Sequence, residues 1–211
     1  MSTLLHIDSS PMGDASISRR LTKEFVEAWK ANHSGSNVVY RDLYKTELSP
    51  VTAEWVTAAY TPGNVQTAEQ KELLKQSDAL CDEIARADEW ILGVPMHNFT
   101  IPTVLSLWIG MLARVGKTFS YENGVPAGIL KNKKVHLIVT SGGVYDSGPA
   151  VGMDFVVPYL KAIFGFLGIT DVTAHYAGGT SSVRNGKIDA ETYLKPHIES
   201  VKQEAKEAAL V

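Results

Sequence analysis

Hydroxyl groups crowd the segment Ser9-Ser10-Pro11-Met12-Gly13-Asp14-Ala15-Ser16-Ile17-Ser18-Arg19. Ser10, Ser16 and Ser18 can donate hydrogen bonds, and a helix starting near Ile17 adds open main-chain N–H groups. Together these would seat a phosphate. The same spacing also suits a plain helix cap at Asp14 or Ser16, and both readings stand. Farther on, Pro95-Met96-His97-Asn98-Phe99 precedes a second helix start. Main-chain N–H groups there can hold the edge of a flat heterocycle while Met96 and Phe99 pack on its face. Equally, a Met and a Phe beside a buried helix can belong to the core. His97 can be a hydrogen-bonded loop residue or, by type, a proton donor, because imidazole titrates near neutral pH. In Thr140-Ser141-Gly142-Gly143 the paired glycines let the backbone approach a ligand and expose consecutive N–H groups. An ordinary turn would use them too.

Other chemistries find no support. Gly116-Lys117-Thr118 suggests a phosphate-binding loop, but Gly110 lies one residue too far upstream and the segment follows a helix rather than a strand. The first strand is not followed by G-x-G-x-x-G, and no G-x-S-x-G marks a hydrolase nucleophile. The six histidines lack metal-ligand spacing, and the single cysteine, Cys81, permits neither an internal disulfide nor a thiolate cluster. A formal net charge of −3 gives no basic footprint for nucleic acid. The N-terminus lacks a basic, apolar leader, and the apolar stretch Ile101–Ala113 falls short of the ~18 residues of a membrane span. A soluble cytoplasmic protein is expected, without membrane or nucleic-acid partners.

The loops need a frame. Five short runs rich in β-branched residues supply it: Leu4–Asp8, Val38–Leu43, Glu89–Val94, Val135–Val139 and Asp171–Tyr176. They are mostly continuous rather than alternating, as in strands covered on both faces. Helical spacing fills the gaps, with Ile17, Leu21, Phe25 and Ala28 on a first helix. Leu73, Leu80 and Ile84 mark a second, behind a capping box at Thr67 and Gln70. The segment Pro102–Val115 is apolar nearly all round, suiting either deep burial or a subunit interface. Phe155–Leu167 is similar, with Pro158 breaking or restarting the helix. Ala190–Ala208 presents Leu194, Ile198, Val201 and Ala205. Gly35–Asn37 reads as a turn and Ser49–Thr67 as a polar excursion. Strands alternating with helices imply one α/β domain over residues 1–211, with a five-stranded parallel sheet in the order 2-1-3-4-5. Ligands bind such sheets beyond the carboxyl ends of the strands, at the switch in order. The loops after strands one, three and four all point there.

At this level the chain resembles the FMN-dependent NADH azoreductases of the flavodoxin-like quinone reductase superfamily, over essentially its whole length. The resemblance lies in Ser9-Ser10 with Ser16-Ile17-Ser18, Pro95 to Phe99, Gly116-Lys117-Thr118-Phe119-Ser120-Tyr121, Thr140 to Gly143, and Gly165 to Asp171. It implies a flavodoxin-like three-layer fold, a homodimer and one FMN per subunit. Its FMN contacts would fall on Ser10, Ser16, Ile17, Ser18, Met96, His97, Asn98, Phe99, Thr140, Ser141, Gly142 and Gly143. Tyr121 would approach the substrate in the neighbouring subunit's site. The implied activity takes hydride from NADH or NADPH and reduces quinones and aromatic azo compounds in a ping-pong sequence. The flavin carries the chemistry, and no metal is involved. The alternative is a flavodoxin-like electron carrier reduced by a partner protein; a Ser/His hydrolase ranks last. His97 stands where these proteins often have tyrosine, and Ser141 where they often have arginine.

Overall fold

In chain order the strands of the described residues, 2–207, are β1 (Thr3–Asp8), β2 (Asn37–Asp42), β3 (Glu89–Pro95), β4 (Phe119–Glu122), β5 (Val125–Gly128), β6 (Lys134–Thr140) and β7 (Asp171–Ala177). In the computed structural model β2-β1-β3-β6-β7 form one parallel sheet, which is the expected order once the separate hairpin β4–β5 is set aside. The helices are α1 (Ile17–Asn32), α2 (Ala53–Tyr60), α3 (Ala68–Arg86), α4 (Thr103–Leu112), α5 (Val157–Leu167), α6 (Ser181–Arg184) and α7 (Ala190–Glu207). The expected last helix ran to Ala208, which lies outside the described residues. No described helix is long and apolar enough to cross a membrane.

Side-chain alternation sorts the two faces of the sheet. Leu5, Ile7, Trp90 and Leu92 pack with Leu80, Trp108, Leu160 and Phe164 of α3, α4 and α5. Leu4, Ile91 and Ile138 pack with Leu21, Phe25 and Trp29 of α1 and with Leu194 and Val201 of α7. Trp90 meets Trp108 and Phe164 edge-on, at ring-centroid distances of 6.3 and 5.5 Å. Central β3 and β6 are buried almost throughout, whereas the edge strands β2 and β7 show partly exposed patterns, as edges must.

Four details depart from the sequence expectation. The polar excursion contains α2, which Thr52 caps by accepting from Trp55 N–H at 3.2 Å. The buried stripe of α3 begins at Leu74 rather than Leu73, which is 42% exposed. The hairpin β4–β5 turns at Asn123-Gly124, both with positive φ, and lies against the end of α5. A Cβ on Gly128 would collide with the backbone of Gly168, which itself closes α5 at φ 107°. Pro158 falls in the first turn of α5, where proline costs no hydrogen bond, so the helix starts at Val157 rather than Phe155. The capping box forms as expected, with Thr67 and Gln70 bonding reciprocally at 3.2 and 3.0 Å. Apolar α4 buries Leu105, Trp108, Ile109, Met111 and Leu112 but exposes Thr103, Ser106 and Gly110. Cys81 of α3 is buried beneath the end of α4, its Sγ 3.8 and 3.7 Å from the Met111 and Leu112 carbonyl oxygens.

Candidate functional site

At the carboxyl edge of the sheet, the loops after β1, β3, β6 and β7 surround a cavity of about 610 Å³. That is within the ~300–1,000 Å³ of small-ligand sites. Ser10, Ser16, Ile17, Met96, His97, Thr140, Ser141 and Gly142 line it. An adjoining recess of about 220 Å³ shares Met96, Ser141 and Gly142 and adds Asn98, Phe99, Gly143 and Tyr145. Eleven of the thirteen residues singled out from sequence therefore meet in one place. Ser18 is fully buried, and its hydroxyl reaches inward to Ser16 at 3.1 Å. Tyr121 stands apart, 53% exposed on β4 and lining neither space.

The first loop forms the expected helix cap. Ser16 caps α1, accepting from Arg19 N–H at 3.3 Å. Above that cap, among the described residues, the N–H groups of Ile17 and Ser18 donate to no protein acceptor. Arg19 holds the loop from behind. Its Nε and Nη2 donate to the Ser10 carbonyl at 3.1 and 2.6 Å, and its Nη1 and Nη2 each donate to Asp42 at 2.8 Å. The guanidinium keeps the Asp42 carboxyl below the usual carboxylate range. Burial and the neighbouring Asp8, which accepts from Tyr40 Oη at 3.0 Å, push the Tyr40 phenol up to about 12. Ser9 adds a pin to β3, its hydroxyl donating to the Gly93 carbonyl at 2.7 Å.

The loop after β3 is a tight turn. His97 N–H donates to Thr100 O at 2.9 Å and Thr100 N–H to His97 O at 3.1 Å, around Asn98 (φ 48°) and Phe99 (φ 68°). Two positive φ angles define a type I′ turn, which Asn tolerates and Phe does not. The strain on Phe99 is on the order of 1–2 kcal/mol. Phe155 N–H donates to the Phe99 carbonyl at 3.1 Å, and the ring lies edge-on to Tyr145 at 5.8 Å. A planar trans peptide points its C=O and the following N–H opposite ways. With the His97 carbonyl turned inward to Thr100, the Asn98 N–H faces out of the turn.

Several lining residues escaped the sequence reading: Arg20, Thr180, Val183, Arg184, Ala190 and Leu194. Arg20 pairs with Glu191 at 2.5 and 2.6 Å across the start of α7. Gly178-Gly179 after the last strand repeats the Gly-Gly signal of the loop after β6, and would have pointed to Thr180. Another cavity, of about 580 Å³, lies beside α1 between His6, Asp8, Arg19 and Tyr40. There Asp8 accepts from Thr22 and Tyr40 at 3.0 Å each, while His6 Nε2 is buried 3.4 Å from Asp8 Oδ2 without a hydrogen bond.

A doubly wound five-stranded sheet with a hydroxyl-rich seat at its first helix and an N–H-lined slot beyond β3 and β6 defines a flavodoxin-like nucleotide-binding protein. The family model described as flavodoxin-like fold matches residues 2–203. An FMN-dependent NADH:quinone oxidoreductase of Acidobacterium capsulatum is 50% identical over 206 residues, which cover 97% of this chain and 100% of that protein. A protein of the same description from Trichormus variabilis is 44% identical, covering 84% and 86%. Among solved structures, an azoreductase from Bacillus anthracis superposes with a TM-score of 0.87 at 29% identity, covering 98% of this chain and 100% of that one. An FMN-dependent NADH-azoreductase from the same species, in complex with FMN, gives 0.86 at 26% identity, covering 99% and 100%. This chain belongs to the flavodoxin-like family, within its quinone reductase and azoreductase group.

Proposed function

We propose that this protein is an FMN-dependent oxidoreductase that takes hydride from NADH or NADPH and reduces quinones and aromatic azo compounds. The observation that carries the reading is the set of N–H groups at Ile17, Asn98, Phe99, Gly142 and Gly143, which meet no protein acceptor among the described residues and belong to residues lining the cavity and its recess. The donor set fits FMN. Ser10, Ser16 and the Ile17 N–H suit its phosphate, while Met96, Phe99 and the 142–143 backbone suit its ring. When bound, FMN supplies two-electron chemistry between a hydride donor and an acceptor.

The chain's own part is binding and orientation. Ser10 and Ser16 would hold the phosphate of a bound FMN, and Met96 and Phe99 would pack on its ring. The N–H groups of Asn98, Gly142 and Gly143 would bond its polar edge. His97 lines the cavity and supplies a ring nitrogen that can hand a proton to the acceptor. Donor and acceptor would use the same cavity in turn, a ping-pong sequence. In this reading residues 1–211 act as one cytoplasmic domain and pair as a homodimer, so that exposed Tyr121 of each copy reaches the other's site.

The test is the anaerobic visible spectrum of the FMN-loaded protein. A flavin band that bleaches with NADH and returns with benzoquinone is expected. A band that persists with NADH would indicate an electron carrier served by a partner, and no FMN uptake at all would refute the reading. Sedimentation of the loaded protein tests the dimer.

A further inference from the structure

The carbonyls of Ser141, Gly142 and Gly143 are all engaged from one side. Thr180 donates to Ser141 O twice, through N–H and through Oγ1, both at 3.0 Å. Ser181 does the same to Gly142 O, at 3.2 Å from N–H and 2.7 Å from Oγ. Gly143 O accepts from Gly179 N–H at 2.8 Å and from Ser141 Oγ at 2.8 Å. Gly178 permits the approach, since a Cβ there would stand 3.0 Å from the Gly143 oxygen.

Peptide planarity turns this into a statement about donors. Each carbonyl drawn toward the loop after β7 sends the next N–H the other way. Those are the N–H groups of Gly142, Gly143 and Val144, none of which donates to a protein acceptor among the described residues. Because β6 lies between β7 and β3, away from the β7 loop means toward the 96–99 turn and the recess. A Gly-Gly segment left to itself would sample both peptide orientations. Here the N–H groups of Gly179, Thr180 and Ser181 hold one of them, and the hydroxyls of Thr180 and Ser181 fasten it with a second bond to the Ser141 and Gly142 carbonyls.

We propose that Thr180 and Ser181 are positioning residues for the redox step, locking the 141–143 peptides so that their N–H dipoles favour the reduced over the oxidised cofactor. The inference rests on the FMN reading above. A hydride brings two electrons and one proton, so uptake from NADH adds one negative charge to the site. Dipoles fixed in advance toward that charge need no reorganisation when it arrives. Loss of the clamp therefore weakens binding of reduced FMN more than of oxidised FMN.

The experiment compares the two-electron midpoint potential of bound FMN, by anaerobic dye-linked titration, in the wild-type holoprotein, Thr180→Val/Ser181→Ala, Ser181→Ala alone and Thr180→Ser. The double variant is expected to bind reduced FMN about tenfold more weakly relative to oxidised FMN, a fall of about 30 mV. Ser181→Ala alone falls part of the way and carries the test if the double variant does not fold. Thr180→Ser, which keeps the hydroxyl, stays at the wild-type potential. An unchanged potential in the folded variants, or equal weakening of both redox states, overturns the proposal. A wild-type chain that takes up no FMN, or whose flavin NADH does not bleach, instead overturns the functional reading itself.

Discussion

The two edges of the central sheet treat polar groups in opposite ways. At the amino edge they are paired with each other. His136, 2% exposed on β6, has Nδ1 2.7 Å from Glu204 Oε1 of α7 and Nε2 3.4 Å from Glu89 Oε2 of β3. Thr173 Oγ1 donates to the same Glu204 oxygen at 2.7 Å, and Lys133 Nζ closes the end of α3 by donating to Ala85 O and Ala87 O at 2.8 and 2.7 Å. At the carboxyl edge donors stay open, the backbone is strained at Phe99, and hydroxyls are used to aim peptides at a cavity. The first arrangement holds helices to the sheet. The second holds a surface ready for something not yet bound, and gives up local stability to do so.

That contrast can be broken first at Arg19, where the two roles coincide. Arg19→Met leaves Asp42 and Asp8 without their cation and frees the Ser10 carbonyl. It should lower stability by about 3 kcal/mol in thermal or urea unfolding and weaken FMN binding as well. A variant that lost affinity at full stability would show that the loop is not held from behind. His136→Leu should separate the roles, costing about 2 kcal/mol while leaving FMN affinity within twofold. Its pH dependence has a defined sign. Burial opposes the charge on His136, but the hydrogen bond to Glu204 and the nearby Glu89 carboxylate outweigh it and raise the pKa. The wild-type advantage over His136→Leu is therefore full below the ordinary histidine range and declines as pH rises through the folded-state value. A difference that grew with pH would reverse the assignment.

Smaller and opposite in sign is Phe99→Gly. Relief of the left-handed strain should raise stability by about 1 kcal/mol while FMN binding weakens through loss of the ring, as read by fluorescence titration. Loss of both would place Phe99 with the amino-edge residues, as structure alone. The finest probe is His97→Phe. If the imidazole delivers the proton, the pH profile of acceptor reduction changes with little change in melting temperature; an unchanged profile removes His97 from the chemistry.

Much of this was legible in the sequence for a topological reason. Parallel strands covered on both faces must be continuous apolar runs, and their order places three loops at one edge. The contacts that orient those loops were not legible, because they join distant segments. Ser141–Gly143 meet Gly179–Ser181 only when β6 and β7 pair, and Arg19 meets Asp42 only when β1 and β2 do. Phe99 gave no sign of a left-handed backbone, since its own preference is against one. The hairpin β4–β5 did carry a local signal in Asn123-Gly124, but strands of four residues with Pro126 among them do not show a periodicity. Helix α2 was hidden by its shortness and by the prolines on either side.

Cys81 bears on the proposed substrate class. Quinones are electrophiles as well as oxidants, and thiolates add to their rings. The single sulfhydryl of this chain lies beneath the end of α4, and burial pushes its pKa up to about 11. It remains a protonated thiol at any physiological pH, out of reach of a ring held at the cavity. A quinone reductase built this way carries no thiolate that its own substrate can arylate while it is folded; only unfolding would arm the thiol.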